Sequence, residues 1–135
     1  MKNNSFNRKP DIEFDQDNIE KPFQLRIAVK YRSNEYYGHI YDVEVGKDYD
    51  WNGANIPRVF WSLIGFSPTD PQVAEASMVH DKLCENKNII LKSGVGTSSQ
   101  IFRDILLING VKKSLADRMM RAVWAFQVFQ KGWAR

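Results

Sequence analysis

Two hydrophobic periods divide the chain. From Phe23 to Tyr31 apolar and polar residues alternate, with Phe23, Leu25, Ile27, Val29 and Tyr31 on one face and Gln24, Arg26 and Lys30 on the other. A period of two predicts one half-buried strand. Ser33-Asn34 offers turn chemistry. Tyr36 to Val45, rich in β-branched and aromatic residues, predicts the hairpin partner. Gly46-Lys47-Asp48 predicts a further turn, and Tyr49-Asp50-Trp51 a short third strand. Ahead of these, Ile12 and Phe14 alternate inside the acidic stretch 11–20 and suggest a short edge strand. Residues 1–10 predict a flexible tail ending at Pro10.

From Pro57 onward the period is helical. Asn55 can cap a short helix over Arg58–Ile64, with Pro57 in its first turn, where a missing N–H costs nothing. After the Ser67–Pro71 loop, a second helix is predicted over Gln72–Glu85. Asn86–Gly96 predicts a loop anchored by Ile89-Ile90-Leu91. Thr97 or Ser98 then caps a helix running through Ile108, and Asn109-Gly110 ends it. Ser114 caps the last helix, with Asp117 as an acidic capping-box partner. Its buried stripe is predicted as Leu115, Met119, Ala122, Phe126 and Phe129. Strands followed by helices give an α+β class: a small N-terminal antiparallel sheet, a hairpin plus short strands, packed against about four C-terminal helices. At 135 residues the chain fits a single domain, residues 1–135.

Composition narrows the classes. With 43% hydrophobic residues the chain can bury a core, so disorder is excluded. One cysteine, Cys84, excludes an intramolecular disulfide and a multi-thiolate zinc site. No apolar run is long enough to span a bilayer, and the first ten residues carry no signal-peptide core. The expected location is therefore intracellular, or outside by a route not written in the N-terminus, of which a phage particle would be one. Residues 1–50 carry net charge −2 and residues 112–135 carry +5. A basic C-terminus can contact nucleic acid or an acidic partner. The simpler account is that Lys and Arg near a helix C-terminus complement its dipole.

The candidate chemistry lies in two segments, the Asn52–Pro57 turn with Arg58, and His80-Asp81. On the Gln72–Glu85 helix, Val73, Ala76, His80 and Leu83 share a face, so His80 is expected inside, close to the turn. Asp81 is rotated about 100° away, beside Ser77, Met78, Cys84 and Glu85. A buried imidazole is either a hydrogen-bonded structural group or a ligand or base. Adjacent helix positions converge poorly on one metal. Asn52-Gly53-Ala54-Asn55 can expose backbone N–H groups but lacks the length and lysine of a phosphate loop. Cys84 is expected as a small buried hydrophobe. His39 is expected to be exposed, and Tyr36, Tyr37 and Tyr41 to form an exposed aromatic face.

The ordered motifs Asn52-Gly53-Ala54-Asn55-Ile56-Pro57-Arg58 with Trp61, His80-Asp81-Lys82-Leu83, Ser98-Ser99-Gln100-Ile101-Phe102 and Gly132-Trp133 resemble the bacterial and tailed-phage family catalogued as domain of unknown function 1353. The family pattern has Asp where this chain has Asn52 and Ser99. A carboxylate cluster in relatives would thus be weakened here, and with it any divalent-metal site. The resemblance implies a phage or prophage setting. The expected role is a phage-type accessory protein that binds a protein partner, phage or host, without a cofactor. The alternative is a metal-assisted hydrolase centred on His80, Asp81, Asn52 and Arg58. Nucleic-acid binding through the C-terminal helix ranks third, and no oligomeric state is implied.

Overall fold

The computed structural model describes residues 1–15, 17–18, 21–51, 70–85 and 87–131; within these, the side chains of 71, 87–95 and 126–131 are left aside. The fold is α+β: N-terminal antiparallel strands in two small sheets, followed by three helices among the described residues. One sheet joins β1 (Ser5–Phe6), β4 (Val29–Tyr36) and β5 (His39–Val45) in the order β1-β4-β5. The other joins β2 (Ile12–Phe14), β3 (Phe23–Leu25) and β6 (Asp50–Trp51) in the order β2-β3-β6. The helices are α1 (Pro71–Glu85), α2 (Lys87–Ile108) and α3 (Lys113–Lys131). The short helix expected over Arg58–Ile64 lies outside the described residues.

The alternation at residues 23–31 builds two strands rather than one. Phe23, Leu25, Val29 and Tyr31 are buried as expected, but the chain bends at Arg26-Ile27 and Ile27 faces out. The bend carries the chain from one sheet to the other. Arg26 N–H donates to the Asp11 carbonyl at 2.9 Å, which fixes the crossing.

The hairpin turn is also displaced from its expected place. It falls at Tyr37-Gly38, with φ of 51° and 80°, a two-residue loop of the type that matches strand twist. Ser33 and Asn34 lie inside β4, where the register shifts between Arg32 and Glu35. The Ser33 hydroxyl accepts from Tyr41 N–H at 2.8 Å and donates to the Asn34 carbonyl at 2.7 Å. A side chain thus replaces a ladder bond at the bulge, and Ser33 is spent on strand pairing rather than on a turn.

The first ten residues are held rather than free. β1 pairs with β4 through Ser5–Arg32 and Phe6–Tyr31. Asn7 N–H donates to the Lys30 carbonyl, and Lys30 N–H donates to Asn7 Oδ1, each at 2.9 Å. Asn4 donates to the Asp104 carbonyl on α2 and accepts from the Tyr31 hydroxyl.

α1 starts as its sequence suggests, with Pro71 at the first helical position and the Asp70 carbonyl accepting from Val73 and Ala74 at 3.0 Å. It is buried from Val73 to His80 without interruption, packed on α2, β2 and β5. α2 is one helix from Lys87, not a loop followed by a helix capped at Thr97. Gly94 and Gly96 each weaken a helix by about 1 kcal/mol. Burial of Ile101, Phe102, Ile105 and Leu106 against α1 and α3 outweighs that cost. Its end follows expectation: Gly110 has φ 86°, Gly110 N–H donates to the Leu107 carbonyl and Val111 N–H to that of Leu106, a Schellman end.

α3 begins one residue before Ser114, and Ala116 N–H donates to the Lys112 carbonyl at 2.9 Å. Asp117 does not close a capping box, because it accepts from the Arg103 guanidinium of α2. The buried stripe is Ala116, Met119 and Val123, with Leu115 and Ala122 partly buried. Met119 lies where the expected stripe puts it, while Ala116 and Val123 are more deeply buried than Leu115 and Ala122; Phe126 and Phe129 are among the side chains left aside.

A Cβ at Gly96 would meet nothing within 4 Å. Gly96→Ala should therefore stabilise the protein by about 0.4–1 kcal/mol, read as a raised urea midpoint at unchanged m-value. A lowered midpoint would contradict a continuous α2.

Candidate functional site

The helical period places Ser77, His80 and Cys84 along one side of α1, each about one turn from the last. Sheet residues approach them from β6. The buried Trp51 indole N–H donates to the Ser77 hydroxyl at 3.0 Å, and that hydroxyl donates to the Ala74 carbonyl at 2.9 Å. A buried indole needs such a partner. Trp51 also stacks between Phe23 and Tyr49, at 5.6 and 5.8 Å between ring centroids. The Tyr49 hydroxyl donates to Glu85, and Lys82 Nζ lies 5.1 Å above the Tyr49 ring. Burial, the Glu85 bond and nearby acidic groups push the Tyr49 phenol up.

His80 is 1% exposed, on the face it shares with the buried Val73, Ala76 and Leu83, as its spacing predicts. Its ring meets Phe102 of α2 edge-on at 5.8 Å. Asp81 Oδ1 lies 3.9 Å from Nδ1. The Cys84 sulfur is 3.8 Å from both ring nitrogens. Burial opposes the imidazolium, while the Cys84 sulfur and the Asp81 carboxylate favour it. The balance raises the His80 imidazole to about 10.

α1 and α2 run antiparallel. Gln72 and Asn109 exchange side-chain-to-carbonyl bonds at 3.2 Å, and His80 meets Phe102 seven residues farther back along α2. This register puts Thr97, Ser98 and Ser99 level with the last turn of α1. All three are buried, and among the described residues Ser99 Oγ has no hydrogen-bond partner. A polar layer thus crosses the helix pair at the height of Cys84, one turn beyond His80.

This arrangement orders and charges His80 more than it activates a nucleophile. A sulfur equidistant from both ring nitrogens lies on the plane that bisects them, away from either N–H direction. A working nucleophile–base pair needs one directed bond. Among the described residues no three His, Cys, Asp or Glu side chains converge on a metal position. Asn52, Arg58 and the rest of the Asn52–Pro57 turn lie outside the described residues. The sequence candidates brought together are therefore His80 and Asp81.

A family model described as "Protein of unknown function (DUF1353)" matches residues 23–123. The chain belongs to the DUF1353 family. No curated protein and no solved structure matches it. The DUF1353 match takes in both sheets from β3 onward, all of α1 and α2, and α3 through Val123. β1 and β2 lie ahead of it.

Asp104 carries no expectation from the sequence, and Cys84 is expected only as a small buried hydrophobe. Cys84 is only half-buried and sits at i+4 from His80, a spacing that could have paired them. Asp104 falls among the buried positions Ile101, Phe102, Ile105 and Leu106, the signal of an acid facing inward. It accepts from the Tyr36 hydroxyl and, at 3.0 Å, from Asn34 Nδ2. Burial raises its carboxyl, and the Asn34 bond opposes this. Tyr36 is thereby tied inward instead of forming an exposed face.

Two outcomes follow. Ser77→Ala leaves the Trp51 N–H buried without a partner and should cost about 1–3 kcal/mol in urea unfolding. For His80, a folded-state imidazole raised above its unfolded value contributes stability that is complete below about pH 6.5. That stability is lost as pH rises through about 10. His80→Gln should flatten stability against pH across that window. An unchanged slope would show that His80 is neutral in the folded protein.

Proposed function

We propose that the protein is a phage-type accessory protein that acts by binding a protein partner, in the particle or on a host factor, and that the end of the β4–β5 hairpin is its contact surface. The observation that carries this is Tyr37. It is 84% exposed and sits in the left-handed region with φ 51°. An aromatic residue there costs about 1 kcal/mol or more relative to Gly or Asn. Among the described residues nothing in the chain repays that cost, since the ring makes no contact with the core. Ile40, two positions past the turn, is also exposed. A rigid ring at the tip of a two-residue turn presents apolar area at small entropic cost, which suits an interface anchor.

The neighbouring tyrosines narrow the surface. Tyr36 is bonded to Asp104 and Tyr41 packs against the core, so the contact is the hairpin tip and not a three-tyrosine face. The motif resemblance of the sequence to a bacterial and tailed-phage family is what supports a particle or host-cell setting. The second reading, a metal-assisted hydrolase centred on His80, Asp81, Asn52 and Arg58, needs a neutral imidazole to take a metal, which the groups around His80 oppose. Metal analysis of the purified protein, with and without His80→Ala, separates the two.

Tyr37→Asn should leave the melting temperature unchanged or raise it, because Asn accepts φ > 0. The same change should weaken partner retention at least tenfold in pull-downs and remove the protein from purified particles if it is a particle component. Full retention by the variant would overturn the hairpin assignment. Absence of the native protein from both particles and complexes would overturn the binding role.

A further inference from the structure

The charge of α3 is not explained by its own helix. Lys112 and Lys113 stand at its N-terminus, with no acidic residue in the first turn. The dipole there is already positive, so these lysines oppose it. Arg118 and Arg121, both exposed, are three apart on the helix surface and repel each other. The one acidic residue of the helix, Asp117, is engaged by Arg103. Among the described residues none of the four cations forms an ion pair. One turn beyond Arg121 the exposed side of the helix continues to Trp124, a residue more than a third exposed.

We propose that this face of α3 binds single-stranded nucleic acid, independently of the hairpin end. The cations take backbone phosphates and the indole stacks on a base. Charge alone would serve an acidic peptide as well, but a partly exposed tryptophan one turn from Arg121 adds a stacking surface that suits a base better than a carboxylate. From Lys113 to Trp124 the helix rises roughly 16 Å at 1.5 Å per residue, the reach of a few extended nucleotides. The surface is small and mainly electrostatic, so binding is weak, sequence-tolerant and salt-dependent.

The test uses the full chain and a labelled oligothymidylate, followed by fluorescence anisotropy between about 50 and 200 mM salt. Log affinity should fall linearly with log salt, with a slope of about −2 to −3 for three or four phosphates. Arg118→Gln with Arg121→Gln should weaken binding at least tenfold and reduce the slope by about 1.4, with no loss of melting temperature. Trp124→Leu should weaken oligothymidylate binding several-fold while leaving binding of poly-glutamate unchanged. No binding at the lowest salt overturns the proposal, as does a double arginine variant that binds normally. Equal competition by poly-glutamate together with an inert Trp124→Leu also overturns it, and assigns the face to an acidic protein instead.

Discussion

Burial of α1 on every side is the constraint around which the rest of the molecule is arranged. Eight consecutive residues, Val73 to His80, are removed from water, so no face of that stretch is left to solvent. A helix in that position must be enclosed by several elements at once, and β2, β5 and α2 each pack on it. Its polar residues then need partners at fixed places. Glu75 is met by Asn109, Ser77 by Trp51, and His80 by Asp81 and Cys84. Burial raises the Glu75 carboxyl, against the Asn109 bond and the charge of Lys9. Enclosure of one helix therefore fixes the register of the helix pair and the approach of β6.

Two polar clamps secure this packing from opposite sides. At one end of α1, Gln72 and Asn109 bind each other's backbone and lock the start of α1 to the end of α2. Farther along α2, Asp104 gathers Tyr36 and Asn34 from β4, while its carbonyl takes Asn4 from the N-terminal segment. Directional bonds of this kind specify which of several hydrophobic packings is adopted, a role that apolar contacts fill poorly. Arg103 beside Asp104 turns outward to Asp117 and links α2 to α3.

What could be read from the sequence was what local periodicity encodes. The inward face of Val73, Ala76, His80 and Leu83, the Schellman end at Gly110 and the edge strand at Ile12–Phe14 all follow from spacing or single-residue chemistry. The misses have tertiary causes. Ile27 belongs to the apolar alternation but falls at the crossing between sheets, which nothing nearby announces. Ser33-Asn34 carries stronger turn chemistry than Tyr37-Gly38, yet Ser33 is drawn into the β-bulge by Tyr41. Gly94 and Gly96 look like loop punctuation until the packed half of α2 is known. Trp51 and Ser77 are 26 positions apart, so their pairing had no local signature.

The two strands that precede the family match have a consequence for where the folding unit begins. β1 completes the sheet at β4, and β2 completes the sheet at β3. Each sheet therefore owes one of its outer strands to a segment that family similarity does not include. A fragment cut at residue 23, the boundary similarity would recommend, keeps all the family motifs but bares two backbone edges at once. Unpaired edges are templates for pairing with other chains. The stretch that sequence comparison treats as dispensable is thus what covers the β4 and β3 edges.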